Sequence, residues 1–170
     1  MKNLNKNRIF RFNRRIRGRT DYKKRLNFLK SNLPRVVIRS SNKSILVQLI
    51  EYELKGDNII TSAKSRDLVK LGFTGNTSNI SASYLTGYLV GKKAQKKKFN
   101  NECIVDLGLA KIIYGSKLFA AVKGLVDSGV KVRVSEEVFP SEDRINGSHL
   151  KIENAKTMIQ GVKKKIEEIK

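Results

Sequence analysis

The first forty residues carry fourteen basic side chains against a single acid, Asp21, so thirteen of the chain's twenty-one net positive charges lie in less than a quarter of its length. Such a segment buries too little apolar surface to offset the entropy of ordering itself, so the core has to be built from later residues. The innermost stretch, Arg8 to Arg25, reads RIFRFNRRIRGRTDYKKR and interleaves arginines with Phe10, Phe12 and Tyr22. A guanidinium bridges two phosphate oxygens or lies flat on a base, and an aromatic ring stacks on unpaired bases. Arg8, Arg11, Arg14, Arg15, Arg17, Arg19, Tyr22, Lys24 and Arg25 are therefore candidate RNA-binding residues. Organelle-targeting peptides are also rich in arginine and poor in acids, but they are usually rich in serine and cut from the fold. This arm runs without a break into a capped helix.

A length of 170 residues with 39% hydrophobic content supports one well-buried core with a tail or two. The longest apolar run, Tyr84 to Val90, is too short to span a bilayer and is followed at once by Lys92 and Lys93. No leading apolar segment resembles a secretory signal, and the lone Cys103 cannot form an internal disulfide, which together predict a reducing, cytoplasmic setting. A pI near 10.3 calls for a polyanionic partner. Nucleic acid is favoured over a lipid surface, because the arm has no Trp- or Leu-rich amphipathic face.

Residues 1–33 read as a basic arm and a short helix, with Thr20 as N-cap and Tyr22, Leu26 and Leu29 on one face. Residues 34–135 read as the core domain. RVVIR (Arg35 to Arg39), SILVQLIEY (Ser44 to Tyr52) and NIITSA (Asn58 to Ala63) are β-branched runs separated by turn residues, which predicts an antiparallel meander. A brief helix stopped by Gly72 follows, and a longer one runs from Ile80 to Lys98. Next come a strand at Ile104 to Leu107, a helix from Ser116 to Ser128 with Gly129 as its stop, and a strand at Val130 to Val134. Residues 136–170 open with polar, loop-like text. They close with Ile152, Ala155, Ile159, Val162, Ile166 and Ile169 at helical spacing, an amphipathic helix. Within the long helix, Gly87 and Gly91 permit close approach of a neighbour. The run KKAQKKK at its end is either a solvated terminus or a further RNA contact.

The inventory for catalysis is thin. His149 has no Cys or His at ligand spacing, and no Gly-rich phosphate loop carries a following Lys-Ser/Thr. Asp106 is the one acid placed as in a two-metal nuclease, but a buried acid capping the following turn is the simpler reading. Neither an enzyme nor a bound cofactor or metal is expected.

With arm, meander and helices assigned, the chain resembles the universal large-subunit ribosomal protein family L-eighteen, which carries 5S rRNA. The likeness runs through RRIRGRTDYKKRL (Arg14 to Leu26), PRVVIRSSNKSILVQ (Pro34 to Gln48), GNTSNISASYLTGYLVGKKA (Gly75 to Ala94), DLGLAKIIYGSKLFAAVKGLVDSGV (Asp106 to Val130) and FPSEDRINGSHL (Phe139 to Leu150). The last two mark the archaeal and eukaryotic type, since the bacterial form lacks the C-terminal extension. The chain departs in Arg17-Gly18-Arg19, where Glu-Gly-Lys is common, and in Ser78-Asn79, where Pro-Ala is usual.

The resemblance implies an α/β fold: a three-layer α/β/α sandwich with a mixed five-stranded sheet of ribonuclease H-like topology, a basic N-terminal arm and a C-terminal helical extension. It implies a structural protein of the large ribosomal subunit, in the cytoplasm, that attaches 5S rRNA to the large-subunit RNA at the central protuberance. Neighbouring proteins, including the other 5S-associated protein of the L-five family, are its implied partners. It places Arg14, Arg15, Arg17, Arg19, Thr20, Tyr22 and Arg25 on 5S rRNA, with Asn42 and Lys43 in the first turn and Ser116, Lys117 and Phe119 at a helix start. Phe119 reads equally as a stacking ring or a core residue, and Asn42 equally as a turn residue or a contact. A non-specific basic nucleic-acid binder is the alternative reading, and a nuclease depending on Asp106 a third.

Overall fold

The computed structural model describes residues 11–148 and 155–168. Arg8, His149, Ile152 and Ile169 lie outside them. Strands β1 (Arg35–Ser40), β2 (Ile45–Glu53) and β3 (Gly56–Lys64) form the expected antiparallel meander, and β4 (Ile104–Asp106) joins β1 in parallel. The sheet is mixed and four-stranded, in the order β3-β2-β1-β4.

The expected fifth strand at Val130 to Val134 shrinks to one parallel bridge between Cys103 and Val132. Cys103 N–H donates to Lys131 O at 2.9 Å and Arg133 N–H to Cys103 O at 3.0 Å, and the pairing stops there. The residues have strand character, but their bridge falls at Cys103, one residue before β4 begins, and no ladder follows opposite Ile104–Asp106.

The arm holds one helical turn, α1 (Asn13–Ile16), and then α2 (Tyr22–Lys30). Asp21, not Thr20, caps α2, its side chain accepting from Lys24 N–H; Thr20 Oγ1 instead accepts from Arg14 Nε at 2.9 Å. The 3-10 helix Ser65–Leu71 ends at Gly72 in the left-handed conformation. Helices α3 (Ile80–Lys96) and α4 (Lys117–Asp127) follow, and the C-terminal region supplies α5 (Glu142–Ile145) and α6 (Ala155–Glu168).

Alternation on β1 divides the molecule. Val36 and Ile38, with Val47 and Leu49 of β2, are fully buried beneath α3 and α4. These two helices touch closely because Gly87 and Gly124 lack side chains: a Cβ at Gly87 would meet the carbonyl of Ala121, and one at Gly124 that of Tyr84. Outside α3 lies α6, with Ile159, Val162 and Ile166 buried. Tyr88 Oη donates to Glu167 at 2.6 Å, and Lys163 Nζ sits 4.9 Å from the centre of the Tyr88 ring. On the opposite face of the sheet lie Arg35, Val37 and Arg39, covered only in part by α2, which buries no residue fully. At the free edge, Lys93 of α3 and Lys97, which caps its end, donate to the carbonyls of Ser62 and Ile60 in β3.

Candidate nucleic-acid interface

β1 and β4 run parallel, and both end at the same side of the sheet. The residues at their carboxyl ends, Ser40 closing β1 and Leu107 to Ala110 following β4, border a cleft of about 730 Å³ whose other wall is the arm and α2. Arg14, Arg19, Tyr22, Lys24 and Phe28 line that wall. Arg11, Arg14, Arg15, Arg17 and Arg19 are exposed. Phe12 packs on Tyr22 with ring centres 5.1 Å apart, so the arm's aromatic residues brace it where it meets α2.

An ion-pair chain fixes α2 over the sheet. Arg25 pairs with Asp57 at 2.9 Å, Asp57 with Arg35 at 2.9 Å, Arg35 with Asp106 at 3.5 Å, and Asp106 with Arg39 at 3.1 Å. Arg35 is only 2% exposed, so its charge is tolerable because two carboxylates face it. Its Nη2 lies close to Asp57 without an in-line hydrogen bond, an ion pair only. Burial alone would raise the Asp57 pKa, but the hydrogen bond from Arg25 and the charges of Arg35 and Arg25 hold it below its ordinary value. Lys24 adds a second tether, donating to Gly108 O at 3.2 Å. Arg25 and Lys24 thus position the arm's platform through the parts of their side chains turned inward, while Arg14 to Arg19 face out.

Asp106 caps the turn after β4, its Oδ1 accepting from Gly108 N–H at 2.8 Å, and both of its carboxylate oxygens are paired with arginines. It is a structural acid.

The other expected contacts join the same end of the sheet. Asn42 and Lys43 are exposed in the β1–β2 turn, which the loop before α3 holds in place: Thr77 Oγ1 donates to Lys43 O at 2.6 Å and Ser78 Oγ to Ser41 O at 3.2 Å. Lys117 Nζ donates to Ser78 Oγ at 3.0 Å, which brings the start of α4 alongside. Ser116 occupies the N-cap position, but its hydroxyl makes no cap bond and is buried without a partner. Phe119 is 7% exposed, so its ring is a core residue and has no face free to stack. The exposed ring here is Tyr114, 66% accessible and set edge-on against Phe119 at 6.4 Å. The KKAQKKK run stands apart: Lys93 and Lys97 lie on the β3 edge, and Lys92 lies over the Tyr88 ring.

Sequence reasoning passed over Arg39 and Tyr114. The alternation in RVVIR does put Arg35 and Arg39 on one face of a strand, but the acids that receive them come from β3 and β4. Tyr114 sits in a loop with no periodicity to read.

A basic α/β domain with exposed arginines and aromatic rings gathered at one end of its sheet is a polyanion-binding protein, of the kind that holds RNA without acting on it. Residues 7–102 match the family described as ribosomal large subunit proteins 60S L5 and 50S L18. The chain is 44% identical over 145 residues to the large ribosomal subunit protein uL18 of Methanoregula boonei, covering 85% of this chain and 83% of that one. It is 46% identical over 140 residues to uL18 of Korarchaeum cryptofilum, covering 82% and 71% respectively. The chain belongs to this ribosomal family, in its archaeal type, and is a structural, non-catalytic, ribosome-associated constituent of the large subunit. Among the described residues no helix is long and apolar enough to cross a membrane.

Proposed function

We propose that the chain binds 5S rRNA and attaches it to the large-subunit RNA at the central protuberance of cytoplasmic ribosomes. There it lies beside neighbouring proteins that include the L-five family member. One observation carries this reading: Lys24 of α2 is tied to the loop after β4, and the β1–β2 turn and Lys117 are tied to the loop before α3, so that basic residues from all of them border the carboxyl ends of β1 and β4. In this reading residues 1–33 grip phosphates, 34–135 supply the shape that chooses the RNA, and 136–170 brace α3. Arg8, Arg11, Arg14, Arg15, Arg17 and Arg19 set affinity. Thr20, Tyr22, Lys24, Arg25, Asn42, Lys43, Ser116 and Lys117 orient the RNA on the folded part, with Phe119 acting from behind through Tyr114. In this reading a fifth strand of a ribonuclease H-like sheet would run through Val130 to Val134, where the chain makes a single bridge to Cys103. Isolating the protein from its own cell extract and sizing the bound RNA tests the reading. A discrete RNA of 5S size is expected, whereas heterogeneous nucleic acid would favour a non-specific binder.

A further inference from the structure

Arg39 is held more tightly than a phosphate-binding arginine needs to be. Its Nη1 donates to Ile38 O at 2.9 Å and Asp106 O at 2.7 Å, and its Nη2 to Asp106 Oδ1 at 3.1 Å, so the edge of the guanidinium is pinned. Gly108 lies over one face. A Cβ there would fall 2.9 Å from Cζ and 3.2 Å from both Nε and Nη1, the distances of a point directly above the centre of the plane. Only a residue without a side chain permits that stacking, and φ at Gly108 is +65°. The side chain is nevertheless 44% exposed and borders the cleft, so part of the guanidinium is open to it. Tyr22 and Phe28 line the same space, with Arg14 and Arg19 beside them. The volume falls within the about 300–1,000 Å³ typical of small-molecule sites.

We propose that this cleft receives one unstacked nucleotide of the bound RNA, its base lying on the Arg39 plane between the aromatic side chains and its phosphate meeting Arg14 or Arg19. The proposal rests on the RNA-binding reading above and makes Arg39 a stacking platform, with Gly108 its positioning residue. A rigid, flat cation is a good surface for a base because the cost of ordering it has been met by folding.

The test is an NMR titration of the full chain with AMP, GMP, CMP, UMP and, as a base-free control, ribose 5-phosphate. At least one nucleotide should shift the signals of Arg39 Nε–H, Gly108 and the Tyr22 and Phe28 rings, while ribose 5-phosphate moves only the arginines of the arm. Arg39→Lys keeps the charge and should abolish the base-dependent shifts. Gly108→Ala keeps every charge and should do the same by displacing the guanidinium. Each variant, checked for an unchanged core spectrum, should bind a 5S rRNA transcript about tenfold more weakly with an unaltered salt slope. Nucleotides that act no differently from ribose 5-phosphate would overturn the platform, as would wild-type affinity in Arg39→Lys. A protein that fails to prefer 5S rRNA over transfer RNA but keeps the base-dependent shifts would instead overturn the choice of RNA and leave the cleft standing.

Discussion

Arg25 of α2 and Arg35 of β1 share one carboxylate: Asp57 meets the first through Oδ2 at 2.9 Å and the second through Oδ1 at 2.9 Å. The half-exposed arginine and the buried one are therefore coupled through their shared acid. Asp57→Ala should cost on the order of 3 kcal/mol in urea unfolding, because Arg35 keeps only the longer contact to Asp106. Arg25→Ala, at the exposed end, should cost under about 1 kcal/mol. Equal losses in the two variants would show that the buried charge does not govern the cost.

The same acid sets an acid-side dependence. Its folded pKa lies below the ordinary 3.8, so its contribution is complete above that value and disappears as pH falls through the lower, folded one. Stability measured by denaturant titration should fall below about pH 4 in the wild type, and less steeply in Asp57→Asn.

At the alkaline end the control passes to α6. Burial, and then the hydrogen bond to Glu167, push Tyr88 up to about 12 from 10.0. The stabilisation this reflects is full below pH 10 and is lost as pH climbs toward 12. Hydrogen exchange should show α6 opening in that window ahead of the sheet. Ile159→Asp should produce the same opening at neutral pH, by placing a charge where a 4% exposed side chain packs.

Glycine substitutions should separate by location. Gly87→Ala drives a methyl against the Ala121 carbonyl and should cost at least about 1–3 kcal/mol by thermal melting. Gly161→Ala, in α6 with nothing within 4 Å, should stabilise by roughly 0.5–1 kcal/mol.

Replacing Arg14, Arg15 and Arg17 together with Ala should flatten the slope of log K against log salt for a 5S rRNA transcript by about 2–3, at roughly 0.7–0.9 per phosphate contact. Preference over an unrelated RNA should change less than affinity. An unchanged slope would remove the arm from phosphate binding.

How much of this was legible beforehand depended on the range of the interaction involved. The meander and α4 were readable because β-branched runs between turn residues and the Gly129 stop are local signals. The close α3–α4 contact was half readable, since Gly87 announced a near neighbour without saying that Gly124 would be opposite. The fifth strand misread locally sound text: KVRV has the right composition, but composition does not say whether a ladder forms, and the pairing here is a single bridge at Cys103. Phe119 was ambiguous because a helix start exposes one ring and buries the next. The ion-pair chain was invisible, since Asp57 and Asp106 meet Arg35 only once the sheet has formed.

The two lysines that reach the outer strand from the end of α3 bear on something unrelated to RNA. β3 is an open border of the sheet, and bare carbonyls there invite another strand to add on. With Ser62 O and Ile60 O already occupied by the ammonium groups of Lys93 and Lys97, a strand added along that border finds these two acceptors taken. Edge-to-edge pairing is thereby disfavoured along that stretch of β3, by the same kind of charge that elsewhere makes the chain look like an RNA ligand throughout.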